Sequence, residues 1–301
     1  MTDASFKEAD AASYDEHAEA YARFVPRLAG PLAEEIVALA ELEPGDRVLD
    51  VGCGTGFASF AAAEAVMPSG SVLGIDLSRG MLDAAARRVE RAPNVELRRM
   101  DAERIELPDA SFDAVISLCA VLHFPRLGQA LAEMTRVLVP GGRLVVAFGS
   151  GRPNTPLALA AYAPRRIARM LFAPVRPELR APERLLAIAA REVPEPPEPM
   201  LTAWARGRPL PHLLRAVAGA GLESPRASWA GSDVLFASAE ELWEAQLAIA
   251  TEVRKRLAGA GEADVVRVRK AFLAEAERVL ARGGRLVYPY GATFVTARKP
   301  N

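Results

Sequence analysis

The sequence predicts an α/β chain built on a parallel sheet. Five short apolar runs between residues 47 and 148 are separated by stretches of helical period. A glycine-rich turn, Gly52-Cys53-Gly54-Thr55-Gly56, follows the first run, and the second and third runs end at Asp76 and next to Asp101. Short runs alternating with helices of this length are the pattern of βαβ units.

Taken in order, the elements begin with a helix in which Tyr14, His17 and Tyr21 fall at i, i+3 and i+7 on one face. A second helix is expected over 32–42, ended by the turn Glu43-Pro44-Gly45-Asp46. Strands are expected at 47–51, 71–76, 95–100, 112–118 and 142–148, with helices at 58–66, 79–92 and 127–138. Residues 150–211 depart from this pattern. They are rich in proline and arginine, with helical islands at 156–171 and 182–191. Arg165, Arg166, Arg169, Arg176 and Arg180 surround Ile167, Met170, Leu171 and Phe172 and read as a solvated face over the site, in preference to a membrane-surface helix. The stretch 192–199 is too proline-dense for a helix or a central strand. A helix at 212–220, a strand at 227–236, helices at 239–257 and 263–280 and a strand at 285–297 complete the chain.

Composition excludes several classes. The 301 residues carry 37 Lys+Arg against 38 Asp+Glu, a net charge of −1, so overall charge does not recruit nucleic acid. Two cysteines cannot make a disulfide scaffold. Residues 1–12 contain no apolar signal core, and the longest apolar run, 114–122, is interrupted by Ser117 and too short to span a bilayer. The expectation is a cytoplasmic protein. The three dispersed histidines and two cysteines offer no metal-ligand spacing, so no metal site is expected.

The segment 48–56 carries most of the chemistry. Its glycines allow positive φ and close backbone approach to a ligand. The third glycine comes one residue too early for a dinucleotide fingerprint, and Gly-Lys-Ser/Thr of a phosphate loop is missing. Asp50 before the glycines would repel a pyrophosphate but suits a ligand bearing an ammonium group. Asp76 at the end of the second run can accept both ribose hydroxyls. Asp101 can accept an exocyclic amine. A lone aspartate after a strand is ordinarily an N-cap. Three carboxylates at three strand ends instead describe a pocket for a cationic adenosine ligand.

These segments resemble class I S-adenosylmethionine-dependent methyltransferases over about 14–148. Residues 48–56 resemble the family's first motif and 74–82 its second. Met100-Asp101-Ala102 with 107–113 resembles the third- and fourth-strand region, and 136–142 the turn before the fifth strand. The subgroup is similar to the ubiquinone/menaquinone C-methyltransferases, whose N-terminal helix over the cofactor is resembled by Tyr14-x-x-His17-x-x-x-Tyr21. The resemblance implies a Rossmann-like seven-stranded mixed sheet of order 3-2-1-4-5-7-6 with helices on both faces. The chain is expected to divide into a helical lid (1–45), a cofactor-binding core (46–149), a helical substrate-covering insertion (150–211), over which the resemblance fades, and the last part of the core (212–301).

It also implies S-adenosylmethionine as cofactor and S-adenosylhomocysteine as product. Asp50 would orient the ammonium through backbone or water. Gly52, Cys53 and Gly54 would lie against the methionine moiety, with Gly56 completing the turn. Asp76 would hold the ribose, while Leu77 and Met81 would pack on the adenine. Asp101 would meet the adenine amine with help from the Ala102 N–H, and the Leu118 carbonyl would face the ammonium. Tyr14 and Tyr21 would pack in the lid, and Cys53 reads as packing, not as a nucleophile. The methyl group is already activated on a sulfonium, so alignment for in-line displacement is the main task. His123, after the fourth strand, and His17, on the N-terminal helix, are the candidate bases for an acceptor that must lose a proton. His212 reads as structural. The expected acceptor is a small apolar or aromatic metabolite, methylated at O, C or N, in secondary metabolism. A macromolecular acceptor would call for a basic excess or an Asn-Pro-Pro-Tyr-type loop, and the sequence has neither. An inactive cofactor-binding subunit would not require the intact glycine turn and acidic strand ends. Monomer and homodimer are both compatible with the sequence.

Overall fold

The structure is a computed structural model describing residues 2–90, 92–153, 159–160, 163, 176–195, 202–206 and 208–301. Strands β1 (Arg47–Val51), β2 (Ser71–Asp76), β3 (Val95–Arg99), β4 (Phe112–Leu118) and β5 (Leu138–Gly149) are parallel and lie side by side in the order β3-β2-β1-β4-β5. Helices cover both faces, so the inner strands read as near-continuous apolar runs. Val48, Leu49, Asp50 and Val51 are all buried. The β4–β5 register shifts between Phe112 and Ala114, where Pro140-Gly141-Gly142 are taken into β5 in place of the expected separate turn.

Three further strands extend the sheet to eight: β6 (Glu178–Arg180), β7 (Glu223–Phe236) and β8 (Arg285–Arg298). β8 runs antiparallel to β5 from Arg298 back to Ala292 and pairs with β7 along nearly its whole length. With β6 set aside, the order β3-β2-β1-β4-β5-β8-β7 is the 3-2-1-4-5-7-6 arrangement that the resemblance implies. The insertion, expected as mostly helical with no strand of its own, contributes this extra strand. β8 outruns β5 at its Arg285 end, and Glu178–Arg180 supply parallel partners for that bare backbone edge. Arg180 accordingly lies on a strand, paired with Asp233 and Glu178. Of the island expected at 156–171 only residues 159, 160 and 163 are described. Arg165, Arg166, Arg169 and the apolar residues from Ile167 to Phe172 lie outside the described residues, as do 196–199 of the proline-dense stretch.

The helices are α1 (Asp3–Asp15), α2 (Ala18–Leu39), α3 (Phe57–Ala65), α4 (Arg79–Val89), α5 (Leu127–Val137), α6 (Glu183–Glu192), α7 (Pro209–Gly219), α8 (Ala239–Ile249), α9 (Thr251–Ala258) and α10 (Glu262–Ala281). Two single helices expected from periodicity are each divided. The first breaks at Glu16-His17, because Asp15 is drawn to the N-terminus of α4, where its carboxylate accepts from the Gly80 N–H and the Ser78 hydroxyl. The helix expected at 239–257 breaks at Ala250, and the Arg254 side chain folds back to donate to the Ala248 carbonyl at the end of α8. At the first break tertiary hydrogen bonds outweigh helical continuity; at the second a local side-chain bond takes up a carbonyl freed at the end of α8.

One sheet face packs on α5 and α7 through Leu131, Met134, Leu213 and Val217. The other packs on α2 and α3 through Leu32, Ile36, Ala62 and Phe294. A third cluster joins α6, α8, α9 and α10 to the upper ends of β7 and β8, with Trp243, Phe272 and Tyr288 at its centre. It overhangs the carboxyl ends of the parallel strands, where open α/β sheets bind ligands.

Candidate active site

A cleft of about 780 Å³, open at its mouth, lies at those carboxyl ends under α1. The loop after β1 forms its floor. Gly52 (φ +72°) and Gly54 (φ +54°) stand in the left-handed region, and the N–H groups of Gly52 and Cys53 both donate to the Ile75 carbonyl. Asp76 ties this loop to the next one: one carboxylate oxygen accepts from the Gly54 N–H and the other from the Ser78 N–H, each at 2.8 Å. Burial pushes the Asp76 carboxyl up, and the two N–H bonds pull against it. Asp101 takes the Glu103 N–H at 2.9 Å and the Lys7 ammonium of α1 at 2.5 Å, and Lys7 also reaches Glu103 at 2.8 Å. Burial pulls the Lys7 ammonium down, but the two carboxylates outweigh it and hold it up.

Of the expected site residues, Tyr14, Tyr21, Gly52, Gly54, Asp76, Leu77, Met81, Asp101, Ala102, Leu118 and His123 line this one cleft. Four others stand off it. Gly56, at φ +80°, caps α3. Cys53 is buried with its sulfur beneath Gly74 on β2, and burial pushes its thiol far up. His17 sits in the break between α1 and α2 with Nδ1 on the Ser13 carbonyl at 3.2 Å, so the structure does not bring it to the cleft. Asp50 is fully buried below the loop, where one oxygen accepts from the Ser59 hydroxyl at 2.6 Å and the other has no partner.

Burial, only partly opposed by Ser59, lifts the Asp50 carboxyl to about 7. Its folded value therefore lies above its unfolded value of 3.8, so its contribution to stability is complete below pH 4 and is lost as pH rises towards 7. The loss is about 4 kcal/mol at about 1.4 kcal/mol per unit. Asp50→Asn should escape it: the stability difference between variant and wild type, measured by urea unfolding, should favour the variant more at pH 8 than at pH 5. An identical difference at both pH values would mean that Asp50 carries no such burden.

The sequence reading missed several groups on the cleft wall. Lys7, Asp10 and Ala11 line it, and they share a helical face with Tyr14 at spacings of three, four and seven, a period legible in the sequence. Asp10 is 6 % exposed and hydrogen-bonds His123 Nδ1 at 2.8 Å. Burial would raise its carboxyl, but His123 and Lys255 beside it hold it down to about 2. The Tyr14 hydroxyl lies 3.3 Å from His123 Nε2 and 2.8 Å from the Thr251 hydroxyl of α9. Cys119, at φ +61°, also faces the cleft, its thiol pushed up to about 12 by burial. Among the described residues no group of side chains could hold a metal ion, and no helix is long and apolar enough to cross a membrane.

The cleft suits a nucleoside with an ammonium-bearing tail. Its glycine floor leaves open space above Gly54, Asp76 turns a half-buried carboxylate to it, and Ile75, Leu77, Met81 and Ala102 offer apolar walls for a base. Comparison with known proteins agrees. The family described as Methyltransferase domain matches residues 48–142. Aklanonic acid methyltransferase DauC of Streptomyces sp. (strain C5) is 34% identical over 184 residues, which span 59% of this chain and 84% of DauC. The demethylmenaquinone methyltransferase of Symbiobacterium thermophilum is 40% identical over 114 residues, 37% of this chain but only 45% of that enzyme. The crystal structure of YcgJ from Bacillus subtilis superposes with a TM-score of 0.53 at 17% identity, covering 89% of this chain and 98% of YcgJ, a likeness of fold. The fold and site thus define a nucleoside-binding α/β enzyme. The chain belongs to the class I S-adenosylmethionine-dependent methyltransferases, in their small-molecule branch, and S-adenosylmethionine is its cofactor.

Proposed function

We propose that the protein methylates a small apolar or aromatic metabolite at O, C or N by in-line displacement. The observation that carries this reading is the continuity of one cleft from the acidic strand ends to an aromatic wall of Tyr14, Tyr21, Phe124 and His123. When bound, S-adenosylmethionine supplies an electrophilic methyl group on a sulfonium. The chain's own residues bind and orient. Gly52 and Gly54 receive the methionine moiety, and Asp50 acts on its ammonium from below through the loop backbone. The Leu118 carbonyl faces the same ammonium. Asp76 accepts the ribose hydroxyls. Leu77 and Met81 would pack on the adenine, whose amine would meet Asp101 beside the Ala102 N–H. Thr202 and Trp204, which donate to the Leu122 and Phe124 carbonyls, together with α9 cover the acceptor side and exclude water.

The acceptors named in the two relatives are the natural first trials: aklanonic acid, then a demethylmenaquinone. With methyl-labelled S-adenosylmethionine, label should pass to a small-molecule fraction of an extract or to one of these compounds. Label found in protein or nucleic acid alone would overturn the small-acceptor reading. Binding of S-adenosylmethionine with no transfer to any fraction would favour a cofactor-binding subunit.

A further inference from the structure

We propose that Asp10 and His123 form a proton-abstracting dyad, and that the enzyme's acceptor is therefore a weakly acidic hydroxyl, phenolic or enolic, that must lose its proton as it is methylated. This rests on the small-acceptor reading above and deepens it. Three separate elements build the dyad: α1 brings Asp10 and Tyr14, the loop after β4 brings His123, and α9 brings Thr251 and Lys255.

The hydrogen bonds run in one direction. Asp10 is ionised and 6 % exposed, so at 2.8 Å it accepts the Nδ1–H of His123. That leaves Nε2 as the hydrogen-bond acceptor, on the cleft side. Lys255 holds the other carboxylate oxygen, which fixes the orientation of Asp10. The Tyr14 hydroxyl stands between Nε2 at 3.3 Å and Thr251 at 2.8 Å. It can donate to Nε2 while the cleft holds no acceptor and turn its proton to Thr251 when an acceptor hydroxyl takes its place at Nε2, so the ring stays hydrogen-bonded before and after it takes the proton. The Arg254 guanidinium, 4.2 Å from the centre of the Tyr14 ring, packs on that ring and holds it in place.

Such an arrangement has no use for an acceptor already ionised or without a proton to lose. For a hydroxyl acceptor the step balances. The oxygen forms its bond to the methyl carbon as the carbon–sulfur bond breaks and its electron pair stays on sulfur. The hydroxyl proton passes to Nε2, and the imidazolium is held by Asp10 until it releases that proton to solvent. His123 is the catalytic base. Asp10 is a positioning residue: it selects the tautomer and aims the ring.

Asp10→Asn separates these roles. Lys255 keeps the amide oxygen on its own side, which turns the amide NH2 towards His123 and forces the Nε2–H tautomer. The protein has three histidines, so the His123 ring nitrogens can be followed by 15N NMR in the full chain. The expected result is an Nδ1–H tautomer in the wild type and an Nε2–H tautomer in Asp10→Asn. Wild-type tautomer in the variant overturns the dyad whether or not any acceptor is turned over.

Catechol and 4-nitrocatechol, the latter ionised at assay pH 8, test the base with labelled S-adenosylmethionine. Asp10→Asn and His123→Gln should lower kcat for catechol about 10²-fold or more, with KM for S-adenosylmethionine within threefold. Rates on 4-nitrocatechol should stay within threefold of wild type. Equal losses on both acceptors would overturn the base role, and so would no loss on either. Calorimetric binding of S-adenosylhomocysteine, expected to be unchanged in both variants, keeps a failure of the dyad distinct from a failure of the cofactor site. Label entering only protein or nucleic acid would instead overturn the small-acceptor reading.

Discussion

Asp76→Ala should weaken binding of S-adenosylmethionine and S-adenosylhomocysteine more than any other single acidic-to-alanine change outside Asp50, while leaving the melting temperature nearly unchanged. The two effects separate for a physical reason. In the absence of ligand the carboxylate bridges the Gly54 and Ser78 N–H groups, but burial raises its pKa, so its loss removes two hydrogen bonds and a desolvation cost together. These nearly offset. With ligand bound, two charge-assisted bonds to the ribose hydroxyls are lost with nothing in return, at roughly 1.5–3 kcal/mol each. The expected fall in affinity is about 10²-fold or more. Asp76→Asn, which keeps an acceptor oxygen but not the charge, should fall between. Calorimetry decides: affinity within twofold of wild type in Asp76→Ala would remove Asp76 from the ribose site.

Gly52→Ala should destabilise the fold strongly and abolish cofactor binding, whereas Gly54→Ala should abolish binding at only a small cost in stability. A Cβ on Gly52 would stand 2.3 Å from the Ala120 Cβ, at a φ of +72° that favours glycine. The neighbour is a methyl group fixed to its backbone, so it cannot swing away. Left-handed strain and overpacking together cost about 2–5 kcal/mol, and the relief available is a parting of the β1 and β4 loops that floor the cleft. Gly54 shares the positive φ, but a Cβ there meets nothing within 4 Å and would occupy the ligand's space. Thermal and urea unfolding should therefore show a large loss for Gly52→Ala and a loss of about 1–2 kcal/mol for Gly54→Ala. Equal stability of the two variants would mean that the β1 loop yields easily and does not set the cleft floor.

The parts of the site that were legible in the sequence are those whose positions follow from the chain itself. A strand followed by glycines and a helix places Gly52 and Gly54 at a carboxyl end, and an aspartate at the end of a strand lands beside them once the strands are parallel. Asp76, Leu77, Met81, Asp101, Ala102 and Leu118 come to line the cleft in this way, each within five residues of the end of its own β-strand. His17 misled because it shares a helical face with Tyr14 and Tyr21 only if the helix continues. It does not, since Asp15 leaves to cap α4. Lys7 and Asp10 showed the right period, but nothing along the chain says that a helix of mixed charge should turn two ionised groups inward. Their partners, Asp101, Glu103, His123 and Lys255, lie about 90 to 250 residues away.

By itself the sequence determined the parallel α/β core, the order of its first five strands through the resemblance, and the strand-end residues that line the cleft. These rest on periodicity, on glycine's freedom at positive φ and on local strand-to-helix turns, all of which act over a few residues. Only the tertiary structure decided the rest: which face of α1 closes the cleft, where α8 gives way to α9, that Glu178–Arg180 adds a strand, and that Asp10, His123, Tyr14 and Thr251 meet. Those contacts join groups far apart in the chain, and each is chosen because a buried charge or backbone edge must find a partner, a requirement that exists only once the elements have packed.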